Sequence, residues 1–169
     1  TVLGSPAGAE TAKGAVRSGT SAARGTAYDA AYSAPIDYSS DAGMALEGVI
    51  PRIPAKAIND ANLLMKLYGD ASQQIMATIA DDGSVAFQTM PDVRQWDYIK
   101  RALDHAASSG EGQGALGGQT AIGRAYAGLA RTIRDTLKDA VPEYGTALNT
   151  SADAIQRVKA VDLGYSLLS

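Results

Sequence analysis

The sequence predicts a mainly α fold, an irregular bundle of about five or six helices with one small β-hairpin over residues 75–89. Two observations lead to this prediction. Large apolar residues recur every three or four positions through most of the chain, which is the period of a helix with one buried face. Residues 75–89 instead alternate apolar and polar side chains around an Asp-Gly pair, which is typical of two strands joined by a tight turn.

The clearest helical pattern runs from Pro91 to Ala107 and contains the single tryptophan of the chain. Pro91 suits the first helical position, where a missing N–H costs nothing, and Asp92 places negative charge in the first turn. We expect Trp96 to anchor the core, because it can bury more area than any other side chain present. The apolar stripe of this helix consists of Val93, Trp96, Ile99, Leu103 and Ala106.

The same segment carries two acid–base pairs four residues apart, Asp97 with Arg101 and Lys100 with Asp104. Side chains at this spacing are neighbours on a helix surface, and opposite charges there stabilise the helix modestly. We therefore expect both pairs on the solvent side of the helix.

The N-terminal segment, positions 1–34, is rich in alanine, glycine and serine and contains few large apolar side chains. It predicts a weak helix from about residue 18, anchored by Tyr28 and Tyr32 and ended by Pro35. Residues 1–17 are expected to form a flexible arm, and residues 18–169 a single helical domain. Because the first residue is threonine rather than methionine, we expect the domain to be part of a longer chain; removal of an initiator methionine before a small residue is the alternative explanation.

Two further helices are predicted before the hairpin. Ser39, Ser40 and Asp41 offer side-chain oxygens for the N-cap of a short helix that reaches Pro51. A second helix runs from Pro54 to Tyr68, and Gly69 suits the left-handed position that ends a helix. The expected inward residues are Met44, Leu46, Val49 and Ile50 in the first helix, and Ala57, Ile58, Ala61, Leu64, Met65 and Tyr68 in the second.

The register of the hairpin follows from its side-chain pattern. A three-residue loop, Asp81-Asp82-Gly83, pairs Ile79 with Val85 and Ala77 with Phe87. This register unites the large side chains on one face, whereas a two-residue loop would divide them between the two faces. We expect that face to lie on the helices, because an isolated hairpin is marginal in water.

After the central helix, residues 110–120 (GEGQGALGGQT) predict a flexible loop between helices. A long helix then extends to about Ala140, and Pro142 separates it from a last helical region. Because Thr150 and Asp153 resemble a fresh capping box, that region is expected to break near Asn149. The expected stripes are Ile122, Tyr126, Leu129, Ile133 and Leu137 in the long helix, and Tyr144, Leu148, Ile155, Val158 and Leu163 in the last region.

Composition excludes several classes of site. The chain has no cysteine and one histidine, so disulfides, thiolate metal sites and most histidine-based sites are ruled out. The net charge of −3 provides no overall attraction to nucleic acid or to anionic membranes. No apolar run approaches the roughly 20 residues of a membrane span, and no signal peptide is visible.

The motifs that could carry chemistry have simpler explanations. Residues 112–117 match the G-x-G-x-x-G pattern, but a dinucleotide site needs a strand before that loop, and here a helix precedes it. His105 lies in the last turn of a helix with no second ligand nearby in sequence. Glu111 and Glu143 are the carboxylates on which a hydrolase would depend, although neither context suggests a buried acid. The sequence therefore predicts no catalytic, cofactor-binding or metal-binding residues.

One charged feature is a candidate contact site for phosphate or for a partner. Four cations fall on a single stripe of the long helix, opposite its apolar face. Asp135 and Asp139 lie beside the stripe, so a solvated helix face is the alternative explanation. The stripe, called the basic stripe below, consists of Arg124, Arg131, Arg134 and Lys138.

Five segments of the chain are distinctive: residues 27–32 (AYDAAY) with Pro35, 91–104 (PDVRQWDYIKRALD), 123–126 (GRAY), 142–144 (PEY) and 160–164 (AVDLG). Together, from about residue 20 onward, they resemble an uncharacterised family encoded by prophages. The resemblance implies a mostly helical segment of larger phage proteins with a virion-associated or assembly role, and it brings no catalytic residues. It also implies a location in the cytoplasm of the bacterial host during assembly of a phage particle, and in the particle itself.

Two classes of function remain. The first is a non-enzymatic structural or protein-interaction module whose partners are other phage virion or assembly proteins, or a second copy of the chain. The second is a wall-degrading hydrolase, or an accessory domain of phage ejection machinery. Nucleic-acid binding through the basic stripe is a further alternative, which the net negative charge disfavours.

Overall fold

A computed structural model describes residues 25–150. Residues Ala34–Val141 form one compact unit, called the central unit, and residues 25–33 and 142–150 belong to another. The predicted fold class is confirmed: the described chain is mainly helical with one small hairpin. The end of the predicted arm at residue 17 lies outside the described residues, and the single domain over residues 18–169 stays a prediction.

The helices are numbered in chain order. Residues 25–33 are helical (α1), and so are residues 142–150 (α6). The central unit contains α2 (Asp41–Val49), α3 (Ala55–Leu67), α4 (Val93–Ala107) and α5 (Ala121–Ala140), and a hairpin of strands β1 (Ala77–Ile79) and β2 (Val85–Phe87). Short 3₁₀ turns cover Ile50–Arg52, Ala71–Gln73 and Gly110–Gly112.

Helix α4 is the centre of this unit. It packs against both α3 and α5, and α2 packs against α5. Trp96 is completely buried, so the prediction that it anchors the core is confirmed. Because neighbours lie on two sides, α4 buries more than its predicted stripe; the additional buried residues are Asp97, Tyr98, Ala102 and Ala107.

The start of α4 differs from the prediction by two residues. The helix begins at Val93, and Asp92 is its N-cap with an extended backbone. The Asp92 carboxylate accepts a hydrogen bond from the backbone N–H of Gln95, and the side-chain oxygen of Gln95 accepts one from the backbone N–H of Asp92. Together these two bonds form a capping box. Pro91 therefore precedes the helix, because a capping carboxylate reaches the N–H three residues ahead only from outside the first turn.

The indole of Trp96 is held by a residue far away in sequence. Its Nε1 donates to the Tyr38 hydroxyl at 2.9 Å, and that hydroxyl donates to the carbonyl of Pro91. A buried indole N–H needs such a partner, because leaving it without one costs about 1–3 kcal/mol. Burial raises the pKa of Tyr38 to about 12, so the phenol remains protonated and able to donate. Tyr38 thereby ties the connector before α2 to the start of α4.

The caps of α2 and α3 follow the sequence closely. Ser40 is the N-cap of α2, and its hydroxyl accepts from the Gly43 amide at 3.0 Å. Gly69 has φ +84° at the end of α3, where Asp70 N–H donates to Met65 carbonyl at 2.7 Å. The second bond of this Schellman motif joins Gly69 N–H to Lys66 carbonyl at 3.2 Å. Gly69 was correctly identified as the residue after the cap.

Two residues predicted to point inward from these helices are exposed instead. Met44 of α2 is 51% exposed, and Tyr68 at the end of α3 is 68% exposed. Tyr68 is the C-cap of α3 rather than part of its last turn, so it leaves the helical stripe. Met44 lies in the first turn of α2, beyond the part of the helix that Leu46 and Val49 bury.

The predicted hairpin register is confirmed. Ala77 pairs with Phe87 and Ile79 with Val85, and Gly83 has φ +86° in the three-residue loop. The predicted burial of the face is only partly correct, because Val85 and Phe87 are half-buried and Ile79 is exposed. The base of the hairpin is fixed instead: Asn62 of α3 binds both the N–H and the carbonyl of Ile75, at 2.7 and 3.2 Å.

The loop between α4 and α5 has a defined structure, which its glycine content did not predict. Its ends form an isolated antiparallel bridge between Gln113 and Gln119. A Cβ on Gly112 would lie 2.1 Å from the Ala106 carbonyl oxygen, and one on Gly123 would lie 2.3 Å from the Gly112 carbonyl oxygen. These two glycines let the end of α4, the loop and the start of α5 pack backbone against backbone. Close packing, and not phosphate binding, accounts for them.

The C-terminal part of the described chain corrects two predictions. Ile122, expected in the stripe of α5, is exposed, while Leu129, Ile133 and Leu137 are buried. The helix that begins at residue 142 continues through residue 150, so it does not break at Asn149 itself; the chain beyond residue 150 lies outside the described residues. Thr150 is not a cap: its hydroxyl donates to the Thr146 carbonyl one turn earlier, as inside a helix. Ile155, Val158 and Leu163 lie outside the described residues.

Substitution of two glycines in α5 should change stability in opposite directions. Gly123→Ala should lower the free energy of unfolding by about 1–3 kcal/mol, because the new methyl group meets carbonyl oxygens that cannot retreat. Gly128→Ala should raise it by up to about 1 kcal/mol, because a Cβ there meets nothing within 4 Å and alanine favours the helix. Urea denaturation followed by circular dichroism measures the free energy of unfolding of each variant. Equal changes in the two variants would contradict the proposed packing.

Removing the Tyr38 hydroxyl should destabilise the central unit and change its pH dependence. Tyr38→Phe leaves the Trp96 N–H without its acceptor, which should cost about 1–3 kcal/mol at neutral pH. Folding raises the pKa of Tyr38 from 10.0 to about 12, so the wild type loses stability as the pH rises through that interval. Denaturation between pH 7 and 12 should show the difference between the two proteins narrowing above pH 10. A constant difference would contradict this assignment.

Candidate functional site

The basic stripe of α5 lies largely on the surface, as predicted. Arg124, Arg131 and Lys138 are exposed and recur every seven residues, which places them on one line along the helix. The Arg124 guanidinium donates to the Gln119 carbonyl at 3.0 Å, a neutral acceptor. Arg134 differs from the other three, because its Nε forms an ion pair with the Asp135 carboxylate at 3.0 Å.

A second charged region lies on α4, and the structure corrects the prediction made for it. Both predicted ion pairs form: Lys100 to Asp104 at 2.8 Å and Arg101 to Asp97 at 2.9 Å. However, Asp97 is only 2% exposed and is not on the solvent side. A buried carboxylate needs charge compensation and hydrogen bonds, because its desolvation is costly. The Asp97–Arg101 pair therefore has a structural role at the edge of the core, where the carboxylate is buried and the guanidinium is partly exposed.

The charged side of α4 continues to the end of α3. The Asp70 carboxylate accepts from Arg94 at 3.2 Å with one oxygen and from the Tyr98 hydroxyl at 3.0 Å with the other. Burial raises the pKa of Tyr98, and the hydrogen bond to the Asp70 carboxylate raises it further, so this phenol stays a donor. Asp70 is positioned by the Schellman motif that ends α3. The arrangement fastens that end of α3 to α4.

Arg101 connects these contacts into one network. Its guanidinium lies 5.0 Å from the centre of the Tyr98 ring while it also binds Asp97. The Tyr68 ring lies 6.3 Å from the Tyr98 ring and extends the network to the end of α3. A cation near an aromatic face adds stabilisation of about 0.5–1 kcal/mol, or more when partly desolvated. The network holds helices together, and every charged group in it has a partner of opposite charge.

The two carboxylates that a hydrolase would need are both exposed. Glu111, in the loop after α4, accepts from the Tyr126 hydroxyl at 2.6 Å, and this hydrogen bond raises the pKa of Tyr126. Glu143 is exposed near the start of α6. His105 is also exposed, in the last turn of α4 as predicted. In residues 25–150, no group of three histidine, aspartate or glutamate side chains is arranged to hold a metal ion.

The end of α3 presents a surface that the sequence did not reveal. Leu63 is 53% exposed, Leu67 is 71% exposed, and Tyr68 follows directly. The buried side of α3 is already supplied by other residues, so these three are not required by the core. They are called the apolar end of α3 below. The buried residues of α3 are Ala57, Ile58, Ala61 and Met65.

A signal for the charged side of α4 was present in the sequence. Arg94, Asp97, Tyr98 and Arg101 recur at three- and four-residue spacings, which form a second stripe beside the apolar one. The sequence did not indicate that Asp70 is the partner of Arg94. The two residues are distant in sequence, and the end of α3 brings Asp70 next to Arg94. Spacing within one helix indicates which side chains share a face, but not what covers that face.

Comparison with known proteins adds no further assignment. No family model, curated protein or solved structure matches the chain. Of the helices in residues 25–150, none combines the length and apolar character that crossing a membrane requires.

The two ion pairs of α4 should differ in their contribution to stability. Arg101→Ala removes the cation beside buried Asp97 and should cost about 2–3 kcal/mol, because the carboxylate loses a charge partner in a desolvated position. Lys100→Ala removes the more exposed pair with Asp104 and should cost at most about 1 kcal/mol. Chemical denaturation of both variants provides the comparison. Equal losses would show that burial of Asp97 does not matter energetically.

Proposed function

We propose that this chain is a non-enzymatic protein-interaction module of a phage or prophage particle. Its partners are other virion or assembly proteins, or a second copy of the chain. With such partners the protein would lie in the host cytoplasm during assembly and afterwards in the particle. The phage context rests on the sequence resemblance described above. The interaction role is supported by a surface of the central unit.

The apolar end of α3 is the observation that carries this proposal. Leu63, Leu67 and Tyr68 place large apolar side chains next to one another at the surface, while the first half of the same exposed side carries Lys56 and Asp60, paired at 3.2 Å. Contact with water does not favour leucine over a polar helix former, and adjoining exposed apolar residues often mark contact sites with other proteins. The change from charged to apolar along one helix side therefore favours protein binding.

The other candidate chemical groups support the same conclusion. The buried acid, Asp97, is neutralised by Arg101, and the half-buried phenol of Tyr38 is committed to Trp96 and Pro91. Glu111 accepts a hydrogen bond from Tyr126 in the loop between α4 and α5. Each of these groups has a structural role that accounts for its position.

Polar substitution at the apolar end of α3 should remove association without unfolding the protein. Leu63→Gln combined with Leu67→Gln keeps good helix formers at exposed positions, so the circular dichroism spectrum and Tm should be nearly unchanged. Binding to a second copy, or to purified phage capsid and tail proteins, should weaken at least tenfold. Sedimentation velocity and interferometry measure the two kinds of association.

Leu116→Gln is the matched control, because Leu116 is another exposed leucine but lies in the loop before α5, away from α3. It should leave association unchanged. A wild-type chain that is strictly monomeric and binds none of those proteins would contradict the proposal.

The non-enzymatic part of the proposal has a separate test. A zymogram on bacterial peptidoglycan should show no clearing by the full chain. Clearing that is lost in Glu111→Gln or Glu143→Gln would establish a wall-degrading hydrolase instead.

A further inference from the structure

The outer face of α5 carries three exposed cations that form no ion pair with the residues that the structure describes. Arg124, Arg131 and Lys138 are exposed, and their seven-residue spacing keeps them within roughly 40° around the helix axis and along about 21 Å of its length. In residues 25–150, neither Arg131 nor Lys138 forms an ion pair. The whole chain has a net charge of −3, so this line of cations is a local reversal of the overall sign.

The acid best placed to neutralise the line does not do so. Asp135 is four residues after Arg131 and three before Lys138, the two spacings at which ion pairs form on a helix. Its carboxylate instead binds the Nε of Arg134, at 3.0 Å. Arg134 thus occupies the carboxylate whose spacing suits both Arg131 and Lys138, and leaves these two cations available to an external partner.

Gly128 is an independent indication of a partner on the same face. It lies between Arg124 and Arg131 in the interior of α5, where glycine is less favourable than alanine. At Gly123 the absence of a side chain is required by backbone atoms nearby, but a Cβ on Gly128 would meet nothing within 4 Å among the described residues. Packing within the described chain therefore does not explain Gly128, whereas close approach of a partner's backbone would.

We infer that the outer face of α5 binds a partner helix whose acidic side chains recur every seven residues. Successive cations of the line are about 10.5 Å apart, which is the rise of two turns on any partner helix lying alongside. Nucleic acid fits less well, because duplex DNA carries a charge every ~1.7 Å of its axis and the net negative charge of the chain opposes it. The inference rests on the proposed interaction role, but it uses a surface other than the apolar end of α3.

The test uses a synthetic peptide probe of about six helical turns in a helix-forming background of alanine and glutamine. One peptide carries glutamates at its positions 1, 8 and 15, and a second has the same composition with the glutamates spread over three faces. Each is titrated into the ¹⁵N-labelled 169-residue chain at low salt and followed by NMR. The first peptide should cause saturable shifts centred on Arg124, Gly128, Arg131 and Lys138, with at least threefold tighter binding than the second.

Three variants make the assignment specific. Arg131→Glu with Lys138→Glu should abolish saturable shifts, while Lys66→Glu, at an exposed cation on α3, should not change them. Gly128→Ala should weaken peptide binding at least twofold and at the same time raise Tm, since it favours the helix and obstructs close approach. Loss of binding accompanied by a gain in stability is a result that a damaged fold cannot produce.

Several outcomes would overturn the inference. These are equal binding of the two peptides, absence of saturable shifts, unchanged binding in the double variant, or preferential binding of duplex DNA that the double variant loses. If the peptide does not bind but association through Leu63 and Leu67 is intact, the outer face of α5 is not a binding surface and the proposed function still stands. If the peptide binds but that association is absent, the apolar end of α3 no longer supports the proposed function, and the inference about α5 still stands.

Discussion

The burial of α4 on two sides is the constraint on which the rest of the central unit depends. Trp96 is completely enclosed between neighbouring elements, and its indole N–H is satisfied by Tyr38 from the connector before α2. A helix enclosed in this way cannot place all of its polar residues in water. Asp97 is consequently buried and compensated by Arg101, and Asp70 is brought to Arg94 and Tyr98 by the Schellman motif that ends α3.

Glycines have two different roles in this protein. Gly112 and Gly123 are required where backbones meet at the end of α4 and the start of α5, so close packing accounts for the first glycine of the segment that resembles a nucleotide-binding motif. Gly69 and Gly83 supply left-handed backbone at the end of α3 and in the hairpin loop. Gly128 fits neither role in the described chain, and this contrast is what makes it informative about a partner.

The two proposed contact surfaces differ in their physical character. The apolar end of α3 would bind mainly by removing leucine and tyrosine surface from water, so its affinity should be largely insensitive to salt. The outer face of α5 would act through exposed charges, which steer association and fix orientation but contribute little energy each. A module with one surface of each kind can hold one partner firmly and orient another. That combination is consistent with an assembly role.

The sequence by itself determined most of the local structure. The fold class, the hairpin register, an N-cap among Ser39, Ser40 and Asp41, the Gly69 cap and the burial of Trp96 were all predicted. Periodicity, capping and turn chemistry depend on residues only a few positions apart. The basic stripe was also predicted from spacing within one helix. These features were visible because their causes lie within a single segment.

Tertiary structure decided what covers each face. The burial of Asp97, the exposure of Tyr68 and Ile122, the pairing of Asp70 with Arg94 and the ordered loop before α5 depend on segments that are distant in sequence. The helical conformation of Thr150, whose hydroxyl donates to the Thr146 carbonyl, shows the same limit, since a capping pattern does not by itself exclude a residue from the preceding helix. The helical period indicates which residues share a side of a helix. Whether that side contacts protein or water is determined only by the packing of neighbouring helices.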